Sequence, residues 1–162
     1  ELTRLQLAEV NELFERKSMS LEVNMPDKCV CEGDKQLMEI VTRNILVNAL
    51  RYSPEGESIK VKLYTKVSPL GARSGRENTV HIIWEVENTG VWLDEREVPR
   101  LFDAFYRVDS SRNRKSGGSG LGLYIVREIL EQHEAAYEIK NTKNGVCFKI
   151  ILTEGERECQ PQ

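Results

Sequence analysis

Long hydrophobic runs are missing from this chain. No apolar stretch approaches the roughly 18–20 residues that a membrane span needs, so nothing in it reads as a transmembrane helix. Nor does the sequence open on a secretory leader. A basic excess is missing too: 23 Lys and Arg stand against 26 Asp and Glu, a net charge of −3. That balance argues against a general nucleic-acid binder. Cysteine is scarce, with four residues. Cys29 and Cys31 lie two apart, and no second pair faces them, so the knuckles of a zinc site are not there. With Cys147, and Cys159 in a polar tail, they read as ordinary reduced thiols. No Gly-Lys-Ser/Thr ending of a Walker A loop occurs anywhere in the chain.

What is present is an ordinary globular composition. The 162 residues are 40% hydrophobic and 30% charged, enough for one compact domain with a core. The first residue is Glu1 rather than Met, so the chain reads as a piece of something longer. Leu5, Val10, Leu13 and Phe14 fall among charges at helical spacing over 3–17. Leu21, Val23 and Met25 alternate with polar residues and predict a strand, with a short second one at Cys29–Glu32. Asp34 is placed to cap a long helix reaching Tyr52, stopped by Ser53-Pro54. Two alternating segments, about Ile59–Leu63 and Val80–Val86, predict a hairpin around a polar loop at 67–78. A short helix at 94–104, a basic glycine-bearing loop at 107–119 and a helix over Leu121–His133 follow. A last hairpin is expected to turn at Asn144-Gly145. Helices interrupting strand pairs predict a two-layer α/β sandwich: a mixed, mostly antiparallel sheet covered on one face by three helices. Residues 1–155 make one domain and 156–162 a frayed tail.

Three segments carry chemistry. In the helix at 34–52, Asn44 and Asn48 sit four apart on one face, with Arg51 and Tyr52 continuing the line. Asparagine is a mediocre helix former, and its buried amide is costly unless paired. Two of them beside apolar residues indicate either bonds to neighbouring loops or a polar pocket on the sheet-facing side, in which an amide oxygen meets magnesium. In GGSGLGLYIV, glycines open a helix whose free N–H groups and dipole suit an anion. That run follows a basic loop rather than a strand, so it is not a dinucleotide-binding turn. In EVENTG, the strand ends in Asn88, Thr89 and Gly90, where a sheet edge meets either a ligand or a plain turn.

Together these segments resemble the sensor histidine kinase catalytic domain, within the gyrase, Hsp90, histidine kinase and MutL ATPase superfamily. NILVNALRYSPEG (44–56) is similar to its N box. LFDAFYRVD (101–109) is similar to the F box, and GGSGLGLYIV (117–126) to the G2 box. GVCF (145–148) is similar to the motif on the last hairpin. The resemblance covers nearly the whole chain in the family's order and spacing. It implies a fold of that ATP-binding type, holding ATP and Mg2+ under a lid at about 107–119. By the same analogy Asn48 ligates magnesium, Asn44 stands close to metal and phosphates, Arg51 contacts phosphate and Tyr52 lies against the nucleotide. Arg114 and Lys115 approach the phosphates from the lid, and Gly118, Ser119, Gly120, Leu121, Gly122 and Leu123 clasp them. Asn88, Gly90, Trp92, Leu93, Phe102 and Tyr106 complete the binding set.

The resemblance departs at the G1 box, normally D-x-G-x-G. Asn88 replaces an Asp that accepts a hydrogen bond from the adenine amino group; an amide oxygen accepts the same bond without charge. Trp92 replaces the second glycine and either lines the base pocket or fills it. His81, on a strand, and His133, at a helix end, lack the setting of a phospho-acceptor. The resemblance therefore implies transfer of the γ-phosphoryl group to a histidine on a separate dimerisation domain, for relay to a response regulator. It also implies a monomeric domain in a homodimeric parent, on the cytoplasmic side of a membrane but without membrane contact of its own. Two rivals remain open: a docking module that has lost ATP affinity, and an ATP-driven clamp of the gyrase or Hsp90 sort.

Overall fold

Asp34 sets the first helix boundary by local chemistry. Its carboxylate accepts the N–H groups of Gln36 (2.8 Å) and Leu37 (3.1 Å), two donors that the first turn of a helix leaves free. Helix α2 then runs Lys35–Tyr52, ending where Ser53 turns extended ahead of Pro54. In this computed structural model, residues 2–68, 79–108 and 119–154 are described. The expectations on Arg114, Lys115, Gly118, Cys159 and the tail lie outside those residues.

Helix α1 is Leu2–Arg16 and α3 is Gly122–Gln132. The strands are β1 (Ser20–Asn24), β2 (Ser58–Ser68), β3 (Thr79–Thr89), β4 (Ala136–Asn141) and β5 (Gly145–Glu154). They form one sheet in the order β1-β2-β3-β5-β4. Only β1 and β2 run parallel; the other three pairings are antiparallel. This is the expected mixed sheet with three helices on one face. The period of two along each strand decides which side chains meet those helices. Ile59 and Val61 of β2, Trp84 and Val86 of β3 and Phe148 and Ile150 of β5 share one core with α1, α2 and α3. On the other face, Lys149 bridges Glu85 (3.0 Å) and Glu138 (3.2 Å). There burial, then Glu85 and Glu87, pushes the Cys147 thiol up to about 11, which keeps it protonated and unreactive.

Several expectations need correction. No strand forms at 29–32. The end of that segment docks instead on the far end of α3: the Asp34 N–H donates to His133 Nε2, while His133 Nδ1 donates to the Ile129 carbonyl. His133 thus caps one helix and holds the start of another. The helix expected at 94–104 is only a 3-10 turn, Val98–Arg100, between other turns. Pro99 offers no N–H to extend it, and Phe105 takes a left-handed φ of 66° to meet Gly120. The last hairpin turns one residue early. Thr142 N–H donates to the Gly145 carbonyl (2.7 Å), so Lys143 and Asn144 form the turn. In α1 the core takes Leu7, Val10 and Phe14, while Leu5 is 50% exposed.

The C-terminus of α2 is stabilised from a distance. Lys17 Nζ donates to the carbonyls of Leu50 (2.6 Å), Arg51 (3.4 Å) and Ser53 (3.1 Å). A cation there satisfies carbonyls that the helix leaves free and opposes the negative end of its dipole. Lys17→Ala is expected to destabilise the fold by about 1–2 kcal/mol, read as a lower urea midpoint. Lys17→Met, which keeps the aliphatic stem, should lose nearly as much.

Candidate functional site

Helix α2 turns two different faces to its surroundings. Val41, Ile45, Leu46, Ala49 and Leu50 are buried in the core. Asn44 and Asn48, one turn apart beside that stripe, are half-buried and meet the start of α3 rather than the sheet. A Cβ placed on Gly122 would lie 3.0 Å from Asn44 Oδ1 and 3.7 Å from Asn48 Nδ2. Asn44 Nδ2 donates to the Ile40 carbonyl (2.8 Å), which fixes the amide and leaves its oxygen towards α3. The Asn48 amide makes no hydrogen bond among the described residues. Arg51 is half-buried and Tyr52 is 49% exposed on the same side of the helix.

The approach to α3 is made by glycine for a stated reason. Gly120 has φ +74°, and a Cβ there would sit 2.8 Å from the Phe105 carbonyl carbon and 2.9 Å from its Cα. Phe105 N–H donates to the Gly120 carbonyl (3.0 Å). Phe105 and Gly120, far apart along the chain, are therefore joined backbone to backbone. Ser119 Oγ accepts the Leu121 N–H (3.3 Å), and Leu123 packs against the core. Among the described residues no side chain caps the N-terminus of α3, which suits its first N–H groups to solvent or an anion. Phe102 turns inward: its ring packs at a tilt against Tyr137 (centroids 5.0 Å apart) and Phe148 (6.2 Å). Tyr106 is covered by the Arg100 guanidinium at 4.2 Å.

The end of β3 forms the other side. Asn88 is 9% exposed and lies on the helix-facing side of the strand, in step with Trp84 and Val86. Thr89 points the other way, where its hydroxyl donates to Glu57 (2.6 Å) and accepts the Ser58 N–H (2.9 Å). Gly90, at φ +74°, lies against the Glu57 side chain, which a Cβ would meet at 2.5 Å. Trp92 stands 57% exposed, so its indole does not fill the interior. Leu93 is clamped at both backbone groups. Its N–H donates to Asn141 Oδ1 (2.9 Å) and its carbonyl accepts from Asn141 Nδ2 (2.9 Å).

Glu57 and Asn141 were not legible as site residues. Asn141 lies in KNTKNG, where asparagine reads only as a turn former, and its reach to Leu93 spans 48 positions. Asn141→Ala is expected to cost about 1–3 kcal/mol by leaving two half-buried backbone groups unpaired, measured by urea unfolding. Asn141→Asp keeps the acceptor and loses the donor, so it should fall between.

Two surface recesses among the described residues lie elsewhere. One sits on the outer sheet face by Lys60, Lys62 and Cys147, the other between α1 and β1. No helix of the described residues is long and apolar enough to cross a membrane.

Comparison with known proteins bears on the family and the fold. Residues 33–156 match the family described as histidine kinase-, DNA gyrase B-, and HSP90-like ATPase. The chain is 40% identical over 126 residues to sensor histidine kinase CusS of Escherichia coli strain K12, covering 78% of this chain and 24% of that protein. It is 31% identical over 146 residues to sensor protein VanSB of Enterococcus faecalis, covering 90% and 30%. The chain therefore spans about a quarter to a third of the length of these relatives. Among solved structures, the mycobacterial sensor histidine kinase MprB superposes with a TM-score of 0.73 at 25% identity, covering 94% of this chain and 92% of that one. The catalytic domain of histidine kinase ThkA, at 21% identity and a TM-score of 0.70, shares the fold. The chain belongs to the histidine kinase-, DNA gyrase B-, and HSP90-like ATPase family, as a catalytic ATP-binding domain of the sensor histidine kinase type.

Proposed function

We propose that this domain binds Mg-ATP between α2, the start of α3 and the end of β3, and donates its γ-phosphoryl group to a histidine on a separate dimerisation domain. The observation that carries the reading is the seat of Gly122 against Asn44 and Asn48. It sets the Asn44 amide oxygen and the Asn48 amide, nitrogen foremost, beside the start of α3. Hard carbonyl oxygens suit magnesium, and free N–H groups suit phosphate. Both halves of a metal-bound triphosphate therefore find matching chemistry within one small region.

In this reading each residue has a defined task. Asn48, whose amide is uncommitted, offers its oxygen to the metal. Asn44, already tied to Ile40, holds a second oxygen at fixed orientation. Arg51 neutralises phosphate charge, and Tyr52 lies along the nucleotide. Ser119 to Leu123 present backbone N–H groups, and Arg114 and Lys115 add positive charge from the lid. Asn88 receives the base at the strand end, with Gly90, Trp92 and Leu93 beside it. Phe102 acts as a support beneath the site through its packing against Tyr137 and Phe148, and Tyr106 lies beside it. Magnesium supplies charge neutralisation at the phosphates when bound. The protein's share is positioning and fixed dipoles, the dominant contributions in phosphoryl transfer. The product histidine would relay its phosphoryl group to an aspartate of a response regulator, and the domain would work on the cytoplasmic side of a membrane-anchored, homodimeric parent.

Calorimetric titration with a non-hydrolysable ATP analogue, with and without magnesium, is the first test. Tight binding that depends on magnesium is expected; no binding at millimolar nucleotide would sink the reading. Mixing the domain with an acceptor-helix fragment and labelled ATP then decides between kinase and docking module. Label on the fragment is expected. Steady hydrolysis by the chain alone, with no transfer, would favour the clamp instead.

A further inference from the structure

Asn88 is nine-tenths buried as a residue, and its amide, which keeps a small opening to the surface, makes no hydrogen bond among the described residues. Its surroundings make this a built feature. Its backbone is held from both neighbouring strands, paired to Ile59 of β2 and Val146 of β5. Gly145 packs so closely on it that a Cβ there would lie 2.1 Å from the Asn88 carbonyl oxygen. The next residue, Thr89, is tied on the opposite face by Glu57 and Ser58. A rigid backbone therefore presents a side chain with unspent hydrogen bonds towards the helix layer. An amide with no protein partner and an opening to the surface keeps both its donor and its acceptor for a ligand that reaches this strand end.

From this we infer that Asn88 makes the site tolerant of the purine 6-position, admitting 6-oxopurine nucleoside triphosphates alongside ATP. The inference rests on the nucleotide reading above, in which the edge of the base meets this side chain. An ionised carboxylate at this position can only accept, so it matches the 6-amino group of adenine and repels a 6-oxo group. An amide carries both an acceptor and a two-proton donor. Its terminal torsion is broad and roughly two-fold, and nothing bonded to it fixes which end faces the base. Turned one way, Oδ1 accepts from a 6-amino group. Turned the other way, Nδ2 donates to a 6-oxo group. The exchange breaks no protein hydrogen bond, because the amide makes none.

The test is displacement of a fluorescent ATP analogue from the chain, in magnesium, by ATP and by ITP. ITP carries a 6-oxo group and the N1–H that goes with it, without adding the 2-amino group of guanine. In the native protein the dissociation constant of ITP is expected within about tenfold of that of ATP, since either base keeps one hydrogen bond to the amide. In Asn88→Asp, ITP should weaken while ATP holds or tightens, widening the ratio by a further tenfold or more, on the order expected when an acceptor faces an acceptor. A native protein that binds ATP but discriminates against ITP by about a hundredfold or more would overturn the proposal, and so would a ratio unmoved in Asn88→Asp. If Asn88→Asp does not fold, the native ratio decides alone. Failure of ATP itself to displace the probe overturns the underlying nucleotide reading, and this proposal with it.

Discussion

Gly145→Ala is expected to destabilise the domain by about 3 kcal/mol or more and to abolish nucleotide binding. The argument is one of rigid neighbours. A Cβ at position 145 would meet the Asn88 carbonyl oxygen at 2.1 Å, the Thr89 Cα at 2.8 Å and the Asn88 carbonyl carbon at 3.0 Å. All three are backbone atoms of a strand held on its other edge by β2. No side chain can swing away, so the two strands must part where Asn88 faces the helices. Gly56 supplies the control. It has φ +80° but nothing within 4 Å of its added Cβ, so Gly56→Ala carries only conformational strain, about 1 kcal/mol. Urea midpoints of the two variants, with a nucleotide titration of each, check the contrast. A Gly145→Ala domain with native midpoint and native affinity would show that the strands tolerate a side chain at this crossing.

That pair of glycines also shows what the sequence can and cannot disclose. The strands were legible because Ile59-Val61 and Trp84-Val86 alternate with polar residues, and alternation has a single geometric meaning. Helix α2 was legible from Asp34 at one end and Ser53-Pro54 at the other, both local signals. The strand expected around Cys29 failed because two alternating positions are too few to outweigh a distant anchor, the His133 imidazole. The helix expected at 94–104 failed for a similar reason, with Pro99 and the Phe105–Gly120 backbone bond overriding local propensity. At the site, the Asn44 and Asn48 spacing and the glycine run announced themselves, since each departs from what a plain helix wants. Asn141, Glu57 and Lys17 did not. Each acts on backbone groups more than thirty positions away, or, for Glu57, on Thr89 32 positions on. No period or spacing encodes such reach.

Asn48→Ala is expected to remove the magnesium dependence of nucleotide affinity and to lower phosphoryl transfer on the order of a thousandfold, while leaving the fold almost untouched. The two halves of this expectation come from the same observation. The Asn48 amide is half-buried and makes no hydrogen bond among the described residues, so its loss leaves no partner stranded. A change within about 0.5 kcal/mol in unfolding free energy follows. Asn44 differs, because its Nδ2 donates to Ile40 and its Oδ1 faces the Gly122 backbone. Asn44→Ala should therefore lose both affinity and about 1 kcal/mol of stability. Gly122→Ala, with its Cβ 3.0 Å from Asn44 Oδ1, should disturb the same pair from the other side and weaken Mg-ATP more than ATP alone. Calorimetry with and without magnesium, beside urea unfolding, separates the three. An Asn48→Ala domain whose nucleotide binding still strengthens with magnesium as the native one does would rule out this amide as the ligand. The metal would then have to be held by Asn44 or by residues outside this helix.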